Sequence, residues 1–185
     1  MIFSSVLFMF RFLPIFLLCY FVAPQKVKNW VLFFGSLIFY AWGEPVYVVL
    51  MLFSTVSDFW HGRRIEKNKE EGKSAKGWLI SSIIINLMLL GFFKYADFLI
   101  ATVNGIFGVE IPLLHLPLPI GISFYTFQTM SYSIDVYRGD AKAQKNILDF
   151  GVFVTMFPQL IAGPIVQYNQ VDKALTERRI TMEGV

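Results

Sequence analysis

Gln128, Ser131, Asp135 and Arg138 place an amide, a hydroxyl, a carboxylate and a guanidinium at helical spacing inside an apolar stretch that runs from Pro119 to Gly139. At ~100° per residue they fall within an arc of about 80°, while Phe127, Met130, Ile134 and Tyr137 share another side. Such a helix can turn one side to lipid or packed helices and the other to something polar. A carboxylate and a guanidinium near membrane depth are costly unless paired or wetted, which points to a cavity or an internal ion pair. Asp135 and Arg138, three residues apart, can pair with each other. With Tyr125 added, the stripe has two readings. It is either an interhelical hydrogen-bond network that locks a bundle or the wall of a polar passage that positions substrates near a base. Pro158, Gln159, Gly163 and Pro164 lean toward the passage, because a broken helix frees backbone groups that are tolerated only against protein or a water-filled cavity. Tyr125, Gln128, Ser131, Asp135, Pro158, Gln159, Gly163 and Pro164 are the candidate substrate-binding set; none is assigned a catalytic role.

Other chemistry is sparse. Of the two histidines, His61 sits where an apolar run meets a basic segment beside Arg63 and Arg64, and His115 lies between Pro112 and Pro117; both read as interfacial or surface residues. Asp58 could form a base pair with His61 or simply anchor a helix end next to Arg63 and Arg64. Lys94 and Asp97 are expected to neutralise one another. No glycine-rich phosphate loop, no His/Cys pair at metal-ligand spacing and no Gly-x-Ser-x-Gly elbow occurs, so neither a bound cofactor nor a metal is expected.

The elements that must hold these groups are membrane helices. The 185 residues are 56% hydrophobic and 17% aromatic, more apolar surface than a soluble domain of this size can cover. Trp30, Trp42, Trp60 and Trp78 stand at or near the ends of apolar runs, where amphipathic rings favour the membrane interface. The single Cys19 allows no intrachain disulfide, and the net charge of +3 is local rather than a nucleic-acid footprint. Residues 12–23 imitate a signal-peptide core, but what precedes them is apolar instead of basic and Pro24 follows Ala23 directly, so this first helix is expected to be retained.

Apolar segments cover 2–23, 30–42, 45–60, 78–103, 119–137 and 147–168, without an internal repeat. They predict an all-α, polytopic transmembrane bundle, one domain over 1–185, with short, broken and re-entrant helices. The segment 78–103 meets the ~20 residues a span requires. Gly43 and Pro45 break the two short runs, with Glu44 at an interface or in a polar pocket. Six basic residues against three acidic ones in the loop 61–77 place that loop in the cytoplasm, and Lys26 and Lys28 point the same way. The two short runs are then a thin hairpin or re-entrant pair, 104–118 lies outside, and 119–138 returns to a cytoplasmic loop bearing Arg138, Lys142 and Lys145. Pro158, Gly163 and Pro164 make 147–168 a broken, re-entrant element, and 171–185 reads as a polar helix.

Six words in order, Met1-Ile-Phe-Ser-Ser5, Phe39-Tyr-Ala-Trp42, Phe93-Lys-Tyr95, Leu118-Pro-Ile-Gly-Ile-Ser-Phe-Tyr125, Ile134-Asp-Val-Tyr-Arg-Gly-Asp140 and Phe157-Pro-Gln-Leu-Ile-Ala-Gly-Pro164, resemble the membrane-bound O-acyltransferase (MBOAT) family, and within it the bacterial branch that acetylates alginate. The resemblance covers nearly the whole chain and corresponds to the N-terminal part of a longer MBOAT domain. It implies tilted, partly short helices around a tunnel in a bacterial inner membrane. Through that tunnel an acyl group from a cytoplasmic thioester such as acetyl-CoA reaches a hydroxyl acceptor, ultimately a cell-surface polysaccharide such as alginate, by way of periplasmic acetyltransferase partner proteins. The family's general base is a histidine deep in the tunnel, suited by an imidazole pKa near neutrality. That histidine belongs to the later half of the fold and matches neither His61 nor His115, so the fragment itself is expected to be inactive. The other readings are half of a transporter or channel, whose broken helices line pathways in the same way, and a noncatalytic membrane subunit. Membrane lipids are the expected surroundings.

Overall fold

The computed structural model describes residues 6–158 and Tyr168. Every regular element among them is helical, as expected. A π-helical turn, Phe8–Phe12, leads into α1 (Leu13–Val22), followed by α2 (Lys28–Gly43), α3 (Val48–Glu70), α4 (Lys76–Phe107), α5 (Ile122–Arg138) and α6 (Ile147–Thr155).

Local sequence explains most boundaries. α2 stops where the break is expected: Glu44 leaves helical geometry at φ −145°, and Pro45 opens the turn into α3. α5 ends at Gly139, whose φ of 93° is a left-handed cap that suits glycine. Asn146 caps α6 by accepting from the Leu148 amide at 3.0 Å. One expectation is corrected. The basic segment 61–77 is not a loop, because α3 continues unbroken to Glu70 and only 71–75 turn. Arg63, Arg64, Glu66 and Lys67 are good helix formers, and Lys67 pairs with Glu71 one turn on at 3.7 Å. The charge that marks an end of the bundle therefore rides on a helix. Within the expected re-entrant element, α6 takes up nine residues and stops at Met156. Gln159, Gly163, Pro164 and the polar stretch 171–185 lie outside the described residues.

α5 is the centre of the packing, set against α3, α4 and α6, while α1 and α6 lean on α2. The main core gathers Met51 and Ile65 of α3, Leu90 of α4, Ile122, Tyr125, Tyr132 and Val136 of α5, and Phe150 and Phe153 of α6. At Gly62 of α3 an added Cβ would meet the Tyr132 hydroxyl at 2.5 Å, so the absence of a side chain there lets α5 approach α3.

Hydrogen bonds define two ends of the bundle. At one, Glu44 accepts from the Ile120 amide at 2.9 Å, Tyr40 donates to the Ile120 carbonyl at 2.9 Å and Tyr47 to that of Pro117 at 3.0 Å. At the other, Lys69 donates to the Tyr137 carbonyl at 2.8 Å and Glu66 accepts from the Ala143 amide at 3.0 Å. Lys69 thereby places a cation at the negative end of the α5 dipole. The second end also carries the cations of 61–76, whereas the first holds Glu44, Asp97 and Glu110.

α4 inverts the usual soluble pattern. Its 32 residues bury only Ser82, Asn86 and Leu90. Ile84, Leu87, Met88, Phe92, Phe98 and Leu99 are among the large apolar side chains on its outer surface. It is the one described helix long and apolar enough to cross a membrane, and at 1.5 Å per residue it measures about 48 Å.

Candidate functional site

The polar side chains of α3, α4 and α5 meet in the interior. Asp58 of α3 is fully buried, as are Ser82 and Asn86 of α4 and Thr129 and Ser133 of α5. Asp58 accepts from the Ser82 hydroxyl at 2.6 Å and from the Asn86 amide at 2.8 and 2.9 Å. The Asn86 carbonyl oxygen accepts from Ser54 at 3.3 Å and Thr129 at 3.2 Å, and the Ser82 and Ser133 hydroxyls lie 3.0 Å apart. A buried carboxylate is tolerable only when its lone pairs are met. Here Asn86, together with Ser82, satisfies Asp58, and Asn86 also joins the three helices. This corrects the reading of Asp58 as a helix-end anchor beside Arg63 and Arg64. The sequence does carry a signal for it: Ser82 and Asn86, four residues apart and so on one side of a helix, are polar interruptions in the long apolar run 78–103.

The α5 stripe is divided by the packing. The buried arc of α5 centres on Tyr125, Thr129, Tyr132 and Val136, about 110° away from the arc expected from sequence. Tyr125 is buried in the main core. Gln128 is also buried and donates its amide to the Phe153 carbonyl of α6 at 2.7 Å. Ser131 and Asp135 stay half-buried at the edge of this face, and Arg138 is exposed. The expected Asp135–Arg138 ion pair does not form: among the described residues, the ion pairs join Lys67 and Lys73 to Glu71. Of the broken-helix residues, Pro158 is described and is exposed, next to the buried Phe157.

Neither histidine faces the stripe. His61 is buried rather than interfacial; its Nδ1 lies 2.7 Å from the Ser57 carbonyl and its Nε2 3.1 Å from the Ser81 hydroxyl. A carbonyl only accepts, so Nδ1 carries the proton and Nε2 takes the serine hydroxyl. With Asp58 bonded to Ser82 and Asn86 instead, the two do not form an acid–base pair. His115, exposed and left-handed at φ 48°, belongs to the segment 108–121 over the first end. Asp97 receives its backbone amide at 3.0 Å and that of Leu114 at 2.7 Å. This corrects the expected Lys94–Asp97 pair: Lys94 instead lies 5.4 Å above the Tyr95 ring. Among the described residues no cluster of three His, Cys, Asp or Glu could hold a metal ion.

Two of the tryptophans expected at an interface pack against a cation. Arg64 stands 5.0 Å over the Trp60 ring and 5.8 Å over that of Trp78, which meet edge to face. A cavity of about 210 Å³ between α1, α2 and Phe157 and another of about 540 Å³ between α1 and α2 are lined by neither Tyr125, Gln128, Ser131 nor Asp135.

No family model matches the chain, and no solved structure matches it. Curated relatives do. Over 99% of its length the chain is 42% identical to a protein of Pseudomonas aeruginosa named "Probable alginate O-acetylase AlgI", covering 36% of that protein, and equally identical to its namesake in Azotobacter vinelandii, of which it covers 38%. Over 92% of its length it is 34% identical to a peptidoglycan O-acetyltransferase of Helicobacter pylori, covering 38% of it. The chain thus spans little more than a third of the length of the relatives it matches. Along almost all of its own length the chain is similar to proteins named as probable alginate O-acetylases, the branch that its six sequence words resemble.

Proposed function

We propose that this chain builds part of a polytopic membrane-bound O-acetyltransferase and lines one side of the path between an acetyl thioester on the cytoplasmic side and a hydroxyl acceptor. The observation that carries the reading is the similarity over 99% of the chain to alginate O-acetylases at 42% identity. α4 supports the membrane setting, because a helix that hides Ser82 and Asn86 and exposes its isoleucines and leucines is solvated by hydrocarbon. In this arrangement the basic second end, with Lys67, Lys69 and Lys73, faces the cytoplasm and the segment 108–121 faces the opposite side. The hairpin α2–α3, the span α4 and the return α5 follow from that sidedness.

The chemistry is acyl transfer. The acceptor hydroxyl attacks the thioester carbonyl, a base takes its proton, and the thiol leaves. On the reading proposed here the half-open edge of α5 at Ser131 and Asp135, with Tyr125 and Gln128 behind it, orients the reactants, and Pro158, Gln159, Gly163 and Pro164 are proposed to contribute to the same substrate-binding set. The base lies outside residues 6–158, since His61 spends both ring nitrogens on Ser57 and Ser81 and His115 sits at the far end of the bundle. Acetyl-CoA is the proposed donor, and a surface polysaccharide, reached through periplasmic acetyltransferase proteins, the eventual acceptor. The test replaces the matching third of the Pseudomonas aeruginosa relative with residues 1–185 and measures acetyl ester on exported alginate. Restored acetylation is expected. A graft that inserts stably and yields none overturns the reading. The chain by itself, supplied with acetyl-CoA, is expected to transfer nothing above background.

A further inference from the structure

We propose that the groove between α1 and α2 seats one anionic phospholipid, with its phosphate against Arg11 and one acyl chain laid along the trough toward Cys19. The inference goes beyond the acetyl-transfer reading and shares with it only the membrane setting.

The groove encloses about 540 Å³, within the range of small-molecule sites, and its walls include Arg11, Ile15, Phe16, Cys19, Phe34 and Trp42. Arg11 is the one charged residue among them. Its guanidinium forms no hydrogen bond or ion pair with any described residue, and the walls offer nothing to neutralise it. An uncompensated cation beside an apolar trough matches an anion carrying a hydrocarbon chain.

Depth agrees with chemistry. α1 runs down to the turn before Lys28, at the basic end, so Arg11 lies toward the opposite rim, where Trp42 closes α2 beside Glu44. Trp and Arg at one rim mark headgroup level. From Arg11 to Cys19 the trough extends about 12 Å at the helical rise, along which an acyl chain can bury its methylenes. Gly35 forms the floor: an added Cβ there would collide with the Phe16 ring, so the glycine lets that ring lie close against α2 and shapes the trough. Arg11 itself belongs to the π-helical turn Phe8–Phe12, an interruption common at functional sites.

The single cysteine, exposed on the groove wall, supplies the readout. The intact chain in neutral detergent micelles is treated with N-ethylmaleimide while phosphatidylglycerol or phosphatidylcholine is added. Phosphatidylglycerol is expected to slow the Cys19 reaction about fivefold more than phosphatidylcholine, the factor expected for one basic side chain meeting an anionic lipid. Arg11→Gln is expected to abolish the difference, Arg11→Lys to keep most of it, and Ile38→Trp, which fills the trough, to remove protection by either lipid. Equal protection by both lipids in the unaltered chain overturns the proposal, as does selectivity that survives Arg11→Gln. A thiol that is unreactive before lipid is added, as when protein covers the groove, also overturns it, and so does one that reacts freely throughout. None of these outcomes depends on acetyl transfer, so this proposal and the preceding one fail separately.

Discussion

Asn86→Leu removes the group on which the interior polar network turns. Asn86 gives Asp58 two contacts, at 2.8 and 2.9 Å, and gives Ser54 and Thr129 their shared acceptor at 3.3 and 3.2 Å. Leucine has nearly the same volume, so the loss is polar rather than steric. A hydrogen bond to a charged group contributes about 1.5–3 kcal/mol net, and an uncompensated buried charge costs about 3–5 kcal/mol. Thr129 retains the Thr126 carbonyl at 3.3 Å, which softens the neutral part. The expected destabilisation is therefore about 3–5 kcal/mol. For a chain of this size that lowers Tm by ~6 °C at the least, read as loss of the monodisperse peak after heating in mild detergent. Met88→Leu, on the outer face of the same helix, is the control and leaves Tm unchanged. The double variant Asp58→Leu/Asn86→Leu deletes the charge that Asn86→Leu leaves with Ser82 alone as its partner, and is expected to recover much of the loss. If Asn86→Leu melts with the unaltered chain, or the double variant is worse than the single one by the full cost of a second independent lesion, the reasoning is wrong.

Gly62→Ala puts a methyl 2.5 Å from the Tyr132 hydroxyl and is expected to cost about 1–3 kcal/mol by overpacking; adding Tyr132→Leu should relieve most of the strain in the same melting assay. Lys69→Met removes the cation bonded to the Tyr137 carbonyl, so hydrogen exchange at 137–141 should accelerate while the core of α5 keeps its protection. Glu44→Ala frees the Ile120 amide, and protease cleavage within 108–121 should rise several-fold. In the grafted acetylase, His61→Gln and His115→Ala should each leave acetylation within a factor of about three of the graft, against the loss of 10²-fold or more that removing a general base causes.

The helix break at Gly43 was legible because glycine and proline act locally, the end of α5 and the start of α6 because the apolar runs stop at 137 and resume at 147, and the long span because twenty apolar residues admit few alternatives. The end of α3 was not. Charge predicts exposure but not loop, and Arg63 to Glu70 form an exposed helix as readily as a turn. The stripe on α5 was read as polar residues on one side of a single helix, yet the side that is buried depends on where α3 and α4 lie. Gly62 admits Tyr132 and rotates the contact face toward Thr129 and Ser133. Asp58, Asn86 and Ser82 were overlooked as a unit because their spacing is regular only across two antiparallel helices, and pairing between helices is invisible along one chain.

The most direct test of the account asks whether the two ends of the bundle face opposite sides of a membrane. In a Cys19→Ser background, Lys73→Cys marks the turn after α3 and Glu110→Cys the segment after α4, both exposed. A membrane-impermeant maleimide applied to cells with a permeabilised outer envelope and an intact inner membrane should label position 110 and spare position 73, and lysis should expose 73. Labelling both positions before lysis, or neither, would contradict a chain that crosses the membrane through α4 with its basic end inside.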